Sequence, residues 1–510
     1  MEKIYKEWND LKAIVILLDS VNRHFLEVYG ASGTETPNIN RLAERSVVFQ
    51  NHWSGSLPCM PARRDLLTGR LGFLERNWGP IEPFDHTLPQ ILKENGVFSH
   101  ISTDHYHYFK VGGENYCQQF DTWELSRGQE SDPWVSHVEK PARPQMHLGK
   151  FIPQYELNRA EFLAEENYPS PKTFQKAIQW LENNHKADQF LLWVEAFDPH
   201  EPFDLPESYL QESGDDYSGP TYYWPEYGQV NVPDEALKHI RKRYGALLTM
   251  TDRWLGKLLN VMDEKEMWED TMVIFTTDHG YMLGEHNFMA KNVMPVYNEI
   301  AHLPLFVHLP GSKFAGKQID ALTQNIDVFP TLLEHFGIDN HCCRNKIHGK
   351  SWMPLIRGEV PFIRDCALYG YFGKNVNVTD GEYTYFRAAA SENNGPLSIY
   401  TAMPTTNGQY YDITSIVDRR RIEMGSFLKW TDFPVYKIPG DNVRLKDQTQ
   451  SFQVNSEFIK HHQLFHIRKD YGQQYPIRDE ETERRMIELL RKALTDHDSP
   501  NEQFVRMDVL

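Results

Sequence analysis

Several protein classes are excluded by what this chain has little of. It carries only five cysteines in 510 residues, at positions 59, 117, 342, 343 and 366. None has zinc-site spacing, and so few thiols rule out a disulfide-built scaffold. The adjacent Cys342 and Cys343 read as packing or surface residues. Basic residues are in deficit, 53 against 71 acidic ones, for a net charge of -18. That argues against nucleic-acid binding, which needs a basic footprint. It also disfavours long polyanions, unless a local basic patch opposes the global field. No apolar run reaches membrane length, and the longest, AIVILL from Ala13, is the size of a strand. The N-terminus, MEKIYKEWNDLK, is charged from its second residue and lacks the basic-then-apolar order of a secretory leader. With Met1 as the native start, this predicts a cytoplasmic protein with no membrane partner. The sequon at Asn377 is then a chance match. Low-complexity tracts and internal repeats are missing too.

What is present is an alternation of buried strands and helices. Ala13 to Leu18 is a continuous apolar run ending at Asp19-Ser20, as suits a parallel strand buried on both faces. Phe190 to Phe197 and Met272 to Thr276 repeat the pattern and end at Asp198-Pro199-His200 and Asp278-His279-Gly280. Val47 to Phe49, Val97 to Ser102 and Leu305 to His308 read as further strands. Helical spacing marks Asn38 to Arg45, Leu88 to Glu94, Lys172 to Asn183, Ala236 to Met262 and Asp327 to Phe336. Such alternation predicts an α/β sandwich. α/β proteins place ligands at the carboxyl ends of strands, so the acidic and imidazole groups there suggest one shared site. Beyond about residue 370 the strands become short, as in Tyr383 to Arg387 and Gln409 to Asp412, before an amphipathic helix from Glu480 to Leu494. This divides the chain into 1–370 and a smaller C-terminal subdomain, 371–510.

Residues 59 to 70 read CMPARRDLLTGR. Cys59, Pro61, Arg63, Thr68 and Gly69 match the signature Cys-x-Pro-x-Arg, four residues, Thr-Gly, and the chain therefore resembles the formylglycine-dependent sulfatases. TPNINRLAERSVVFQNHW from Thr36, TTDHGYMLGEHNFMAKN from Thr276 and HGKSWMPLIRG from His348 extend the resemblance over most of residues 11 to 360. It implies the alkaline-phosphatase-like α/β fold, with a large mixed central sheet and a smaller C-terminal antiparallel sheet. It further implies that a separate maturation enzyme oxidises Cys59 to formylglycine. One hydroxyl of the aldehyde hydrate attacks sulfur and the alcohol leaves; the other then expels sulfate. Pro61 and the polar run after it place Cys59 at a helix N-terminus, where the dipole favours an anion. Arg63 is expected to face the hydrate and hold its oxygens.

The same resemblance assigns a divalent cation to Asp19, Cys59, Asp278 and His279. An oxygen-rich site suggests Ca²⁺, and one imidazole keeps Mn²⁺ or Mg²⁺ open. Many relatives carry a second Asp after the first; Ser20 stands here. Lys291, in AKN, matches the lysine that contacts the sulfate. His200, in DPHEPF, matches a histidine able to protonate the leaving alcohol or bind its oxygen. STDHYHYF from Ser102 replaces the usual Gly-Lys-Trp-His, so the lysine is missing, Asp104 stands near its place, and His105 and His107 are expected to line the site. The expected activity is hydrolysis of a sulfate ester on a small sulfated saccharide. Tyr217 to Tyr227 and Phe427 to Tyr436 are candidate walls, and Arg419 to Arg421 either contacts an anionic group or is a solvated face. A phosphonate monoester or phosphodiester hydrolase with the same nucleophile is the alternative, and a sulfoglycan-binding protein with an unoxidised Cys59 is a third reading.

Overall fold

The computed structural model describes residues 11–406, 408–411, 414–444 and 460–510. Residues 1–10, the body of the N-terminal segment read above, and Asp412 lie outside them. A nine-stranded sheet runs in the order Gln318–Ile319, Val47–Trp53, His302–His308, Thr271–Thr276, Lys12–Leu18, Phe190–Ala196, Phe98–Thr103, Thr122–Leu125, with Thr323–Gln324 also beside Val47–Trp53. His302–His308 is antiparallel to both neighbours. Every other pairing in the sheet is parallel. This is the mixed α/β sheet the sequence implied.

The strand Lys12–Leu18 shows why the central runs are apolar throughout. Ile14, Ile16 and Leu18 pack with the helices Pro169–Asn184 and Asp234–Glu264, while Ala13, Val15 and Leu17 pack with Cys59–Thr68, Leu88–Glu94 and Val328–His335. Alternate residues thus enter opposite cores, and neither face meets water. In-register parallel pairing sets Leu17 opposite Glu195 on one side and Thr276 on the other. The strand ends that follow, Asp19, Asp198 and Asp278, emerge at one edge of the sheet.

The C-terminal strands build a smaller sheet, Gln463–His466, Tyr383–Arg387, Val376–Thr379, Ala367–Tyr371, antiparallel throughout. It continues through a parallel pairing onto Ser56–Leu57, just before Cys59. The helix Glu480–Asp496 covers it with Met486, Leu490 and Leu494. Asn377 is fully buried in this sheet, consistent with a chance sequon.

Asp65, buried within the helix Cys59–Thr68, fixes that helix at both ends. Its carboxylate accepts from the Ser56 amide at 2.6 Å, the Ser56 hydroxyl at 2.8 Å and the Gly72 amide at 2.9 Å. A Cβ on Gly55 would lie 2.5 Å from Asp65 Oδ2, so only glycine lets the carboxylate approach. Gly69, at φ 65°, closes the helix by donating to the Asp65 carbonyl at 2.8 Å. Asp65→Ala should therefore lower stability by about 2–5 kcal/mol, because the buried Ser56 and Gly72 amide donors lose their acceptor. Urea unfolding measures this, and an unchanged midpoint would mean that the helix does not depend on the carboxylate.

Candidate functional site

The ligand atoms of Asp19, Cys59, Asp278 and His279, from three distant parts of the chain, all lie within 4.8 Å of one another, and all four residues are buried. Cys59 is the first residue of the helix Cys59–Thr68, as expected, and its Sγ lies 3.2 Å from His279 Nε2. His279 Nδ1 is 2.9 Å from the Gly280 carbonyl, which fixes Nδ1 as the donor and leaves the Nε2 lone pair facing the cluster. Burial pushes the His279 imidazole down to about 4, so it stays neutral. Burial and the neighbouring Asp19 carboxylate push the Cys59 thiol far up, so it stays protonated.

Arg63 is committed to carboxylates. Its guanidinium donates to Glu195 at 2.9 Å, Asp278 at 2.5 Å and Asp19 at 2.8 Å, and also to the Cys59 carbonyl at 3.1 Å. The reason is electrostatic: buried charges must be paired, and three carboxylates converge here. Burial raises the Asp19 carboxyl, but Arg63, His200 and Lys291 together outweigh it and hold Asp19 ionised. Glu195 was not legible as a site residue, since it sits in the strand Phe190–Ala196 among apolar neighbours. A lone acid in a doubly buried strand was the available signal. Tyr108 Oη also donates to it, at 2.9 Å.

Ser20, at φ 64°, donates its hydroxyl to Asp19 Oδ1 at 2.7 Å and accepts from Lys291 Nζ at 2.8 Å. Its amide donates to Asp278 Oδ1 at 3.1 Å. Lys291 thereby reaches the cluster, 3.9 Å from Asp19 and 4.0 Å from Glu201. His105 Nε2 lies 3.6 Å from Asp19, and its ring is 5.0 Å from that of His107. Burial, with Arg63 and His200 nearby, keeps His105 neutral. His200 Nδ1 lies 2.5 Å from the Glu201 carbonyl and 3.2 Å from the Glu201 carboxylate. Asp104 is a brace: it accepts from the Phe197 amide, the Ser170 hydroxyl and the Gln129 amide, at 2.7, 2.6 and 2.9 Å, tying the His105 loop to the His200 loop.

The candidate walls divide. Tyr222, Tyr223 and Trp224 are core residues, whereas Tyr227 donates to the Glu201 carboxylate. Trp430 packs over Arg70 and Phe84. Arg420 and Arg421 are exposed and pair locally with Asp418 and Asp441, the solvated-face reading.

The donor set fits a divalent cation. A Ca²⁺–oxygen bond of about 2.3–2.6 Å puts opposite ligands up to about 5 Å apart, the span found here. Two carboxylates and a neutral imidazole suit such an ion. A protonated thiol does not, whereas an oxygen at the same position would.

Comparison with known proteins agrees with the fold and the motif. A sulfatase family model matches residues 12–338, so the chain belongs to the sulfatase family. It is 26% identical over 337 residues to human iduronate 2-sulfatase, covering 59% of this chain and 60% of that protein, less than two thirds of the relative's length. Among solved structures, the phosphonate monoester hydrolase of Agrobacterium radiobacter superposes with a TM-score of 0.66 at 17% identity, covering 97% of this chain and 96% of that one. BT4656, solved in complex with its substrate D-glucosamine-2-N,6-O-disulfate, gives 0.66 at 15% identity, covering 96% and 99%. At these identities the likeness is one of fold, the alkaline-phosphatase-like α/β sandwich.

Arg63→Met keeps the volume but strands three buried carboxylates. With chelator present, we expect a loss of about 3–5 kcal/mol in urea unfolding. Wild-type stability in that variant would show that the carboxylates do not depend on the guanidinium.

Proposed function

We propose that the protein hydrolyses a sulfate ester, on a small sulfated saccharide, using a formylglycine made from Cys59 by a separate maturation enzyme. The observation that carries this reading is the buried, protonated Cys59 thiol at a helix N-terminus, inside a cluster of Asp19, Asp278 and His279. A thiol held neutral is a poor nucleophile. An aldehyde hydrate at that place supplies two hydroxyls instead. Asp19, Asp278, His279 and the side chain at 59 would hold a divalent cation, Ca²⁺ in preference to Mn²⁺ or Mg²⁺, which when bound masks the sulfate charge and acidifies the attacking hydroxyl.

The chain's own groups have separate tasks in this reading. The hydrate oxygen forms a bond to sulfur while the ester S–O bond breaks. His200, beside the site, gives its proton to the departing alkoxide, with His105 and His107 lining the same side. Lys291, steered by Ser20, holds the sulfuryl oxygens. Arg63 keeps Asp19 and Asp278 ionised and in place. The second hydroxyl of residue 59 then loses its proton, the C–O bond to sulfate breaks, and the aldehyde returns. Residues 1–370 form the catalytic part in this account and 371–510 the smaller subdomain. The fold match to a phosphonate monoester hydrolase keeps the phosphonate and phosphodiester alternative in view; parallel assays with a sulfate monoester and a phosphodiester decide between them.

Cys59→Ala should cut sulfate-ester hydrolysis by about 10⁴-fold or more while unfolding as wild type does. The active protein should be lighter than its sequence by about 18 Da, the change from CH₂SH to CHO. Intact-mass spectrometry and kcat/KM check both, and an active protein of unmodified mass overturns the nucleophile assignment.

His200 and Lys291 separate by leaving group. A sugar alkoxide needs a proton and a nitrophenolate does not, so His200→Ala should damage sugar sulfate hydrolysis far more than nitrophenyl sulfate hydrolysis. Lys291→Ala should lower kcat/KM for both by similar factors, because the sulfuryl group is common to them. Equal losses for His200→Ala would remove it as the general acid.

A further inference from the structure

Beside the cluster around Cys59 lies a second group of buried acceptors. Glu130, His200 and Glu201 bring ligand atoms within 4.8 Å of one another. Glu201 is fully buried, and while its Oε1 accepts from Tyr227, its Oε2 has no hydrogen-bond donor. His107 Nε2 lies 3.4 Å from Glu130 Oε2, and His107 Nδ1 is buried without a partner. Glu130 itself is held with φ 42° in a fixed loop: Gln129 donates to Asp104 and Asp198, and Ser131 bonds Tyr106 at 2.8 Å. Its side chain keeps 14% exposure, so this corner opens to solvent.

Glu201 is flanked by His200, whose Nδ1 lies 3.2 Å from its carboxylate, and by Lys291 at 4.0 Å. Lys291 is shared with Asp19 and donates to Ser20, on the sulfate side. Lys150, over the Tyr227 ring at 3.6 Å from its centroid, also faces both carboxylates. Glu130 and Glu201 still present two carboxylates within 4.8 Å of one another, and the lone oxygen of Glu201 accepts from no N–H or O–H.

Resting on the sulfate-ester reading, we propose that the leaving alcohol carries a cationic amine, bound between Glu130 and Glu201 next to His200. A sulfate ester of an amino alcohol or unacetylated amino sugar has this chemistry: an anionic sulfuryl group for Lys291 and a cation for the carboxylates. Substrates bearing a carboxylate or a second sulfate at that end would be repelled.

Binding is the test, in the Cys59→Ala protein supplemented with Ca²⁺, which cannot turn over. Titration calorimetry compares aminoethyl sulfate with propyl sulfate, in which a methyl group replaces the ammonium. We expect the amine to bind about 10- to 100-fold more tightly, the scale of one charge-assisted hydrogen-bonded contact. Adding Glu130→Gln should bring that ratio down toward one. Equal affinities, no measurable binding of the amine, or a ratio untouched by Glu130→Gln would each overturn the inference. Hydroxyethyl sulfate binding as tightly as the amine would overturn it as well, assigning the carboxylates to neutral hydroxyl donors. Turnover of nitrophenyl sulfate by the mature wild-type protein is measured alongside. Its absence refutes the sulfate-ester reading, while the binding ratio still judges this one.

Discussion

The site is organised by one guanidinium. Arg63 stands between Asp19, Glu195 and Asp278, each at or just beyond the end of a parallel strand and each fully buried. Like charges this close would otherwise raise one another's pKa and drive at least one carboxyl to protonate. Arg63 suppresses this for Asp19 and Asp278, which remain below the usual carboxylate range although burial pulls them up. Glu195, facing a tyrosine as well as Arg63, is raised by burial. The planar fork matters because three carboxylates and the Cys59 carbonyl approach from different directions, and five fixed N–H donors can serve them together. The cluster of ligand atoms beside Cys59 exists only because this repulsion has already been answered.

The smaller sheet is part of the same construction. Its parallel edge pairing on Ser56–Leu57 holds the chain entering the Cys59 helix, and the Asp65 carboxylate locks the turn between them. The hairpin that leaves this sheet then grips the residue after Lys291. Tyr371 Oη accepts from the Asn292 amide at 3.1 Å, and Lys374 Nζ donates to the Asn292 carbonyl at 2.6 Å. Position 59 and Lys291 come from loops far apart in the chain, yet both are fixed against strand Ala367–Tyr371 and its turn. C-terminal residues thus help to fix the geometry of the candidate site.

The sequence showed the fold where the physics is simple. Runs buried on both faces must be apolar, so Lys12–Leu18, Phe190–Ala196 and Thr271–Thr276 were found to within a residue or so. Strand Val47–Trp53 was read only to Phe49, because Gln50, Asn51 and His52 break the run. His52 is buried nonetheless, its two nitrogens satisfied by Thr323 and Asn325. His302 and Pro304 hid the start of His302–His308 in the same way, the pairing with Val47–Trp53 shifting register between Leu303 and Leu305. In the site, Asp19, Cys59, Asp278 and His279 were marked by a signature and strand-end positions, and Lys291 by the family resemblance of its segment. Glu195, Glu201 and Glu130 were not: their meaning lies in three-dimensional convergence, which no local spacing encodes. The dominant partners of Arg63 were invisible in one dimension for the same reason.

Ser20 shows how a departure from the family pattern can be absorbed. Where many sulfatases carry a second aspartate, a hydroxyl stands here, and the cluster loses a negative charge. The hydroxyl does something a carboxylate cannot: it donates to Asp19 while accepting from Lys291, so one short side chain relays the lysine onto the first aspartate. Lys291 is then held by a neutral acceptor and by charges about 4 Å away, in Asp19 and Glu201, rather than by a direct ion pair. A lysine balanced between two distant carboxylates retains N–H groups for an incoming anion, whereas one locked to an adjacent aspartate would first have to break that pair. With Ser20 on one side and Glu201 on the other, Lys291 keeps its charge in the cluster without a direct ion pair.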